Sequence, residues 1–191
     1  MSRWWTTIVL VIAGPSLAAE MRSLDVHYED GHYSLESKVW FDVEREPIYQ
    51  VFSTWDISAE FSTAIVEARD VAPDDEGRPG FYVVNRGCVL FFCKSLTRQG
   101  YVERERPELL RAFADPELSD FEISNETWAF VEENGGTVIT YTLHVKPAFW
   151  VPPAIGPFLI QRKLRKSAGE ALDRVEAIAQ RYSETGTLTV D

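Results

Sequence analysis

Few residues of this chain have the type and spacing to do chemistry. Its three histidines, His27, His32 and His144, share no metal-ligand spacing: there is no HExxH, no HxxxH and no Cys/His cluster, so no zinc centre is expected. His27 and His32 stand in a polar stretch, and His144 alternates to the face opposite Tyr141, Leu143 and Val145. All three read as surface residues. A serine nucleophile would need a G-x-S-x-G turn and a phosphate site a glycine-rich loop, and neither occurs. Asp74-Asp75-Glu76 lies in a turn beside Arg78, and Glu132-Glu133 precedes another turn, so these carboxylates read as solvated. No catalytic residue, metal or cofactor is assigned.

Two cysteines, Cys88 and Cys93, occur in the sequence CVLFFC. On one continuous strand their Cα atoms would lie roughly 16 Å apart at ~3.3 Å per residue, beyond any bridge. If Val89 to Phe92 is instead a hairpin loop, the cysteines face each other at its base. The second arrangement and a disulfide are favoured, because the chain begins with what reads as an export signal.

Aromatic side chains make up 13% of the sequence. Trp55, Phe61, Tyr82, Trp128, Phe130, Tyr141 and Phe158 fall in elements that would enclose a common space, and most are expected to fill it as core. The segment KPAFWVPPAIGPFLIQRKLRK, residues 146–166, stands apart. Pro152 and Pro153 forbid a central strand, and Pro157 suits the first turn of a helix. Phe149, Trp150, Val151, Ile155 and Phe158 make this connector too apolar for a simple solvated loop. Arg162, Lys163, Arg165 and Lys166 follow at once. The plain reading of these cations is a solvated helical face. The sharper one joins Arg162 and Lys163 to Trp150 and Ile155 as a peripheral contact with an anionic membrane or a partner.

Behind these residues stand the elements that must position them. Arg3, the apolar run Ile8–Ala13 and the small-residue stretch Pro15–Ala19 read as an export signal cleaved after Ala18, which in a bacterium implies a periplasmic protein. The alternative is an uncleaved anchor, but the run is far short of the roughly 20 residues a span requires. The rest suits one domain, placed at residues 24–183 with a tail at 184–191. A formal charge of −11 makes a nucleic-acid partner a poor fit.

Alternation from Tyr33 to Val43 predicts a half-buried strand. Two short helices should follow, one over Ile48–Thr54 and one near Asp56–Ser62. Strand-like segments come next: 65–71, 81–86, 94–105, 109–113, 121–132 and 137–146, the last two joined by Asn134-Gly135-Gly136, a strong hairpin signal. Ile160, Leu164, Ala168, Ala171, Leu172, Val175, Ile178 and Ala179 then recur at helical spacing over a predicted helix from Pro157 to Tyr182, ~39 Å at ~1.5 Å per residue. An α+β fold follows, with a curved antiparallel sheet of about seven strands wrapped around one long C-terminal helix.

This order resembles the START-like (SRPBCC) superfamily with its helix-grip fold, in the group of coenzyme Q-binding and polyketide cyclase/dehydrase proteins. The residues that carry the resemblance are WDISAEFSTAI at 55–65, Asn134-Gly135-Gly136-Thr137 before ITYTLHV, and AFWVPPAIGPFLIQRKLR at 148–165. The resemblance implies an apolar cavity between sheet and helix, with Trp55, Phe61, Tyr82, Trp128, Tyr141, Phe158 and Leu159 as ligand-binding residues. It implies a binding or carrier protein for a lipid-, quinone- or polyketide-like molecule. One alternative is a cyclase or dehydrase in which Arg86, Asn125 or Tyr141 polarises the substrate. Another is a protein-interaction module whose cavity is closed. A fold alone does not choose among them.

Overall fold

Alternating side chains and tight turns make this chain into a sheet that buries one face. The computed structural model describes residues 19–89, 92–151 and 156–188. The first hairpin pairs β1 (Glu20–Glu29) with β2 (His32–Phe41). Helix α1 (Arg45–Ser53) and a 3-10 helix (Trp55–Glu60) follow. Then come β3 (Ile65–Val71), β4 (Gly80–Val89), β5 (Phe92–Glu105) and β6 (Leu109–Ala114). A 3-10 turn (Pro116–Leu118) precedes β7 (Phe121–Glu133) and β8 (Gly136–Pro147), and α2 (Gly156–Thr185) closes the order. The eight strands form one curved, unclosed antiparallel sheet in the order β1-β2-β8-β7-β6-β5-β4-β3.

The expected α+β class, curved sheet and long terminal helix are present, with one strand more than anticipated. β1 begins four residues ahead of the expected domain start. Its ladder shifts register between Met21 and Ser23, and from there Leu24, Val26 and Tyr28 alternate with Asp25, His27 and Glu29, a short pattern within a stretch whose polar and charged residues dominate its reading. Asp30 and Gly31 turn it into β2 with φ of 48° and 85°, as a two-residue hairpin demands. Asn134 and Gly135 do the same between β7 and β8. Gly136 has a different role: a Cβ there would lie 2.2 Å from the Phe41 carbonyl oxygen and 2.8 Å from the Trp40 ring. That close approach is what the second glycine permits.

Register places Tyr33, Leu35, Ser37, Val39 and Phe41 of β2 beside Ile139, Tyr141, Leu143 and Val145 of β8, and these beside Ser124, Glu126, Trp128 and Phe130 of β7. Leu110 and Ala112 of β6, Val102 of β5, and Phe81 and Val83 of β4 continue the same face. α2 covers this inner face through two apolar clusters. One joins its C-terminal half, with Val175, Ile178 and Ala179, to α1, the first 3-10 helix and the rings of Phe81, Trp128 and Phe130. The other sets Ile160 and Leu164 against Val26, Tyr33, Leu35, Leu143 and Val145.

Tyr33 is 1% exposed, and its hydroxyl is buried without a hydrogen-bond partner among the described residues. Burial, and secondarily Tyr28, push its phenol up to about 12. The folded state therefore holds this proton more tightly than the unfolded chain, whose tyrosines titrate near ~10. The stabilisation is complete below the unfolded value and is lost as pH rises from there through the folded value. Urea unfolding at stepped pH should show stability falling over that window. Tyr33→Phe should flatten the fall while leaving stability at pH 7 equal or slightly higher, since it deletes an unpaired buried group.

Candidate functional site

Between the two clusters the inner face turns polar. On β7 the alternation that buries Trp128 and Phe130 also turns Glu126 and Ser124 inward, and their burial follows that parity. Tyr141 stands opposite Trp128 on β8, its ring stacked on the indole at 5.2 Å and 26°. From there its hydroxyl donates to Glu126 Oε1 at 2.6 Å. Arg98, opposite inward-facing Val83 on β5, extends Nη1 to Glu126 Oε2 at 2.9 Å. Arg98 and Glu126 lie two strands apart, roughly 10 Å at ~4.8 Å per strand. Beside Glu126 and toward Arg98 the intervening β6 presents the small side chains of Ala112 and Ala114 on this face, with Leu110 farther along by Trp128, so a long guanidinium side chain can cross it.

The side chains of Arg98 and Glu126 are 11% and 8% exposed. Burial opposes the Arg98 charge, but the Glu126 carboxylate outweighs it and raises the guanidinium pKa. Burial first, and then the Glu126 charge, push the Tyr141 phenol well above its ordinary value. Tyr141 is therefore a neutral donor, and both oxygens of Glu126 are engaged. Arg98 Nε and Ser124 Oγ are buried here with no partner among the described residues, as is the Tyr33 hydroxyl farther along the face. Buried polar atoms are normally satisfied. A row of apolar surface carrying open hydrogen-bonding atoms can seat a mostly apolar molecule that has one or two polar groups.

The structure brings four of the expected ligand residues together. Trp55 stacks on Phe81 at 4.5 Å and meets Trp128 edge-on, while Phe61 reaches Trp128 through Phe52. Trp55, Phe61, Trp128 and Tyr141 thus share one wall. Tyr82 does not join them: it alternates to the outer face, where the Arg69 guanidinium lies 3.9 Å from its ring centre. Phe158 is 65% exposed, and Leu159 beside it is half-buried. Arg86 and Asn125 have outward parity too, because inward-facing Asn85 and Glu126 sit beside them in sequence.

Trp150 is 78% exposed, and Arg162 and Lys163 are exposed at the start of α2. Ile155 lies outside the described residues. Cys88 and Cys93 stand opposite each other in the β4–β5 register, and Val89 already pairs with Phe92. The connection is thus two residues long rather than four, and the Cys88 side chain lies outside the described residues. His32 Nδ1 and His144 Nε2 are 3.0 Å apart on stacked rings, at the outer face. Among the described residues no group of three or more His, Cys, Asp or Glu could hold a metal ion, and no helix is long and apolar enough to cross a membrane.

Arg98, Glu126, Ser124 and Tyr33 were missed as site residues. Glu126 and Ser124 share the parity of Trp128 and Phe130, which was visible; a carboxylate on an apolar strand face is the signal that could have found them. Nothing local marks Arg98, because its partner lies two strands away.

No protein-family model matches the chain, and neither does any curated protein. Solved structures do. A START superfamily protein from Mycobacterium smegmatis is 18% identical with a TM-score of 0.60, over 77% of this chain and 99% of that one. A STAR-related lipid transfer protein from Xanthomonas axonopodis is 12% identical with a TM-score of 0.60, over 82% and 98%. The Zhui aromatase/cyclase from Streptomyces sp. R1128 is 11% identical with a TM-score of 0.62, over 81% and 98%. With its curved sheet, its long terminal helix and these neighbours, the chain has the START-like, SRPBCC fold.

Proposed function

We propose that this chain is a periplasmic binding or carrier protein for a lipid-, quinone- or polyketide-like molecule, held between the inner face of the sheet and α2. One observation carries the reading: Arg98 Nε and Ser124 Oγ, buried with no partner among the described residues, belong to or adjoin the Arg98–Glu126–Tyr141 cluster on a largely apolar face. The neighbours named for lipid transfer and for START membership agree with it.

A fluorescent fatty-acid analogue and a hydroxylated polycyclic aromatic serve as probes. Arg98→Met or Glu126→Leu alone leaves a buried charge without its partner and should cost about 3–5 kcal/mol in urea unfolding. The double variant should recover most of that loss. It should nevertheless bind the polar-headed probe at least tenfold more weakly, while a purely hydrocarbon probe binds as before. Unchanged binding of both would separate the polar cluster from ligand recognition. Failure of the parent to bind any probe would favour an interaction module with a closed interior.

A cyclase- or dehydrase-type enzyme is the second reading, favoured by the convergence of three ionisable groups on one buried spot. Arg98 would polarise a carbonyl and Tyr141 would donate a hydrogen bond. Glu126 is doubly engaged, so it is not a free base in this arrangement, and for that reason the binding reading ranks first. Turnover of a poly-β-ketone analogue that is abolished by Tyr141→Phe would reverse the order.

Two further parts of the reading concern the surface. Exposed Trp150 and Phe158 beside Arg162 and Lys163 form the apolar and cationic elements of a peripheral membrane contact. Vesicles rich in anionic lipid should bind the protein weakly at low ionic strength and release it near ~0.5 M salt, and Trp150→Ala should abolish sedimentation with them. The paired register of Cys88 and Cys93 suits a disulfide in an oxidising compartment. Thiol titration of the unfolded, unreduced protein should find no free thiol; two would remove the bridge from the reading.

A further inference from the structure

Glu176 is the buried acid that the site does not use. It lies on α2 among Val175, Ile178 and Ala179, all buried, and is itself 6% exposed. Its Oε1 accepts a hydrogen bond from the Asp42 backbone N–H at 3.1 Å, and its Oε2 accepts one from the Ala19 backbone N–H at 2.9 Å. Among the described residues it takes part in no ion pair with a lysine, arginine or histidine. A carboxylate withdrawn from water needs a counter-charge or pays a large desolvation cost, and two neutral amides do not supply one. Ala19 is no loose end either, for it packs with Met21 against the main apolar cluster.

The nitrogen facing Glu176 belongs to the residue that follows Ala18, where the stretch Pro15-Ser16-Leu17-Ala18 ends. We propose that the Ala18–Ala19 bond is the maturation site, and that the α-ammonium released there is the counter-ion of Glu176. The step is a hydrolysis: a membrane-bound leader peptidase adds water across the peptide bond. Ala18 departs with a carboxylate, and Ala19 keeps an amine that takes up a proton at neutral pH, its ordinary pKa being ~8. In the precursor the same nitrogen is an uncharged amide. In the mature chain it carries a full charge at hydrogen-bond distance from a buried carboxylate, where an ionic hydrogen bond is strongest.

Cleavage one residue earlier would carry the ammonium ~3.8 Å off and leave Glu176 with an amide, and cleavage one residue later would remove Ala19 and its nitrogen altogether. Processing thus clamps β1 and the end of β2 to α2. The inference rests on residues 1–18 being an export leader, and the experiment separates the two claims.

The full chain, leader included, is expressed in a Gram-negative host, and the purified protein is subjected to intact-mass measurement and N-terminal sequencing. The expected first residue is Ala19. An uncleaved chain would overturn both the pairing and the export reading. A different first residue would overturn the pairing alone. Four proteins are then compared by thermal unfolding: the parent, Glu176→Gln, the parent with one glycine inserted between Ala18 and Ala19 (cleavage after Ala18 verified by mass), and the combination. The insertion should lower Tm by about 5–10 °C, in keeping with the size of Tm shifts in domains of this length, and should add nothing once Glu176→Gln is present. Additive losses, or no loss on insertion, would overturn the proposal. Should Glu176→Gln fail to accumulate, α-amine acylation rates decide between the other two. The parent amine should react at least tenfold more slowly than that of the insertion variant, and equal rates would sink the pairing.

Discussion

One long helix, helped at one end by α1 and a 3-10 helix, must cover the inner face of eight strands, and a helix is only about 10–12 Å across with its side chains. α2 satisfies that requirement unevenly. Its C-terminal half meets α1, the first 3-10 helix and the largest aromatic residues in one continuous cluster, while Ile160 and Leu164 serve a smaller cluster at the other end. The polar residues of the inner face fall between these anchor points. A fold that wraps a curved sheet around a straight rod concentrates its close packing where the two surfaces touch, and the intervening stretch tolerates groups that a tight core would exclude.

Buried charge is a poor way to stabilise such an interior. Arg98 and Glu126 lose their hydration, and their mutual attraction with the Tyr141 hydrogen bond largely offsets that loss rather than exceeding it. Hydrophobic residues of similar volume would serve stability at least as well. The cluster is therefore better understood through what it presents: a fixed set of donors within apolar walls. Phe52, Trp55, Phe61, Phe81 and Trp128 form those walls through ring contacts at 4.5–6.2 Å, and the stack of Tyr141 on Trp128 ties the walls to the polar cluster.

The two sheet faces divide the chemistry cleanly. Inward parity collects Ser37, Arg98, Ser124, Glu126 and Tyr141 with the core, while outward parity collects His32, Tyr82, Asn125 and His144. A one-residue change of register on any strand would exchange these sets, so the turns at Asp30-Gly31 and Asn134-Gly135 determine which side chains meet as much as they determine topology. The exposed aromatics Trp150 and Phe158 belong to neither face: Trp150 follows β8 in the chain, and Phe158 stands in the first turn of α2.

Much of this was determined by sequence alone. Period-of-two alternation marked β2, strand-like runs bounded by turn chemistry marked β3 to β8, helical spacing marked α2, and Asn134-Gly135-Gly136 marked the last hairpin, because each signal is local and reflects backbone geometry within a few residues. β1 carries the same signal at Leu24, Val26 and Tyr28, but it is short and set among polar and charged residues, so the stretch reads as polar. Face parity along β7 already held Glu126 on the side of Trp128, yet the sequence could not say that Arg98, 28 positions earlier, would cross Ala112 and Ala114 to meet it. Tyr82 was grouped with the interior because of its type, and strand register turned it outward. Nothing in the helical pattern singles out Glu176; folding sets it against the backbone nitrogen of Ala19. Local pattern fixes which face a side chain takes; only packing between distant strands and the helix decides what it finds there, because those partners are set by register and curvature rather than by neighbours in the chain.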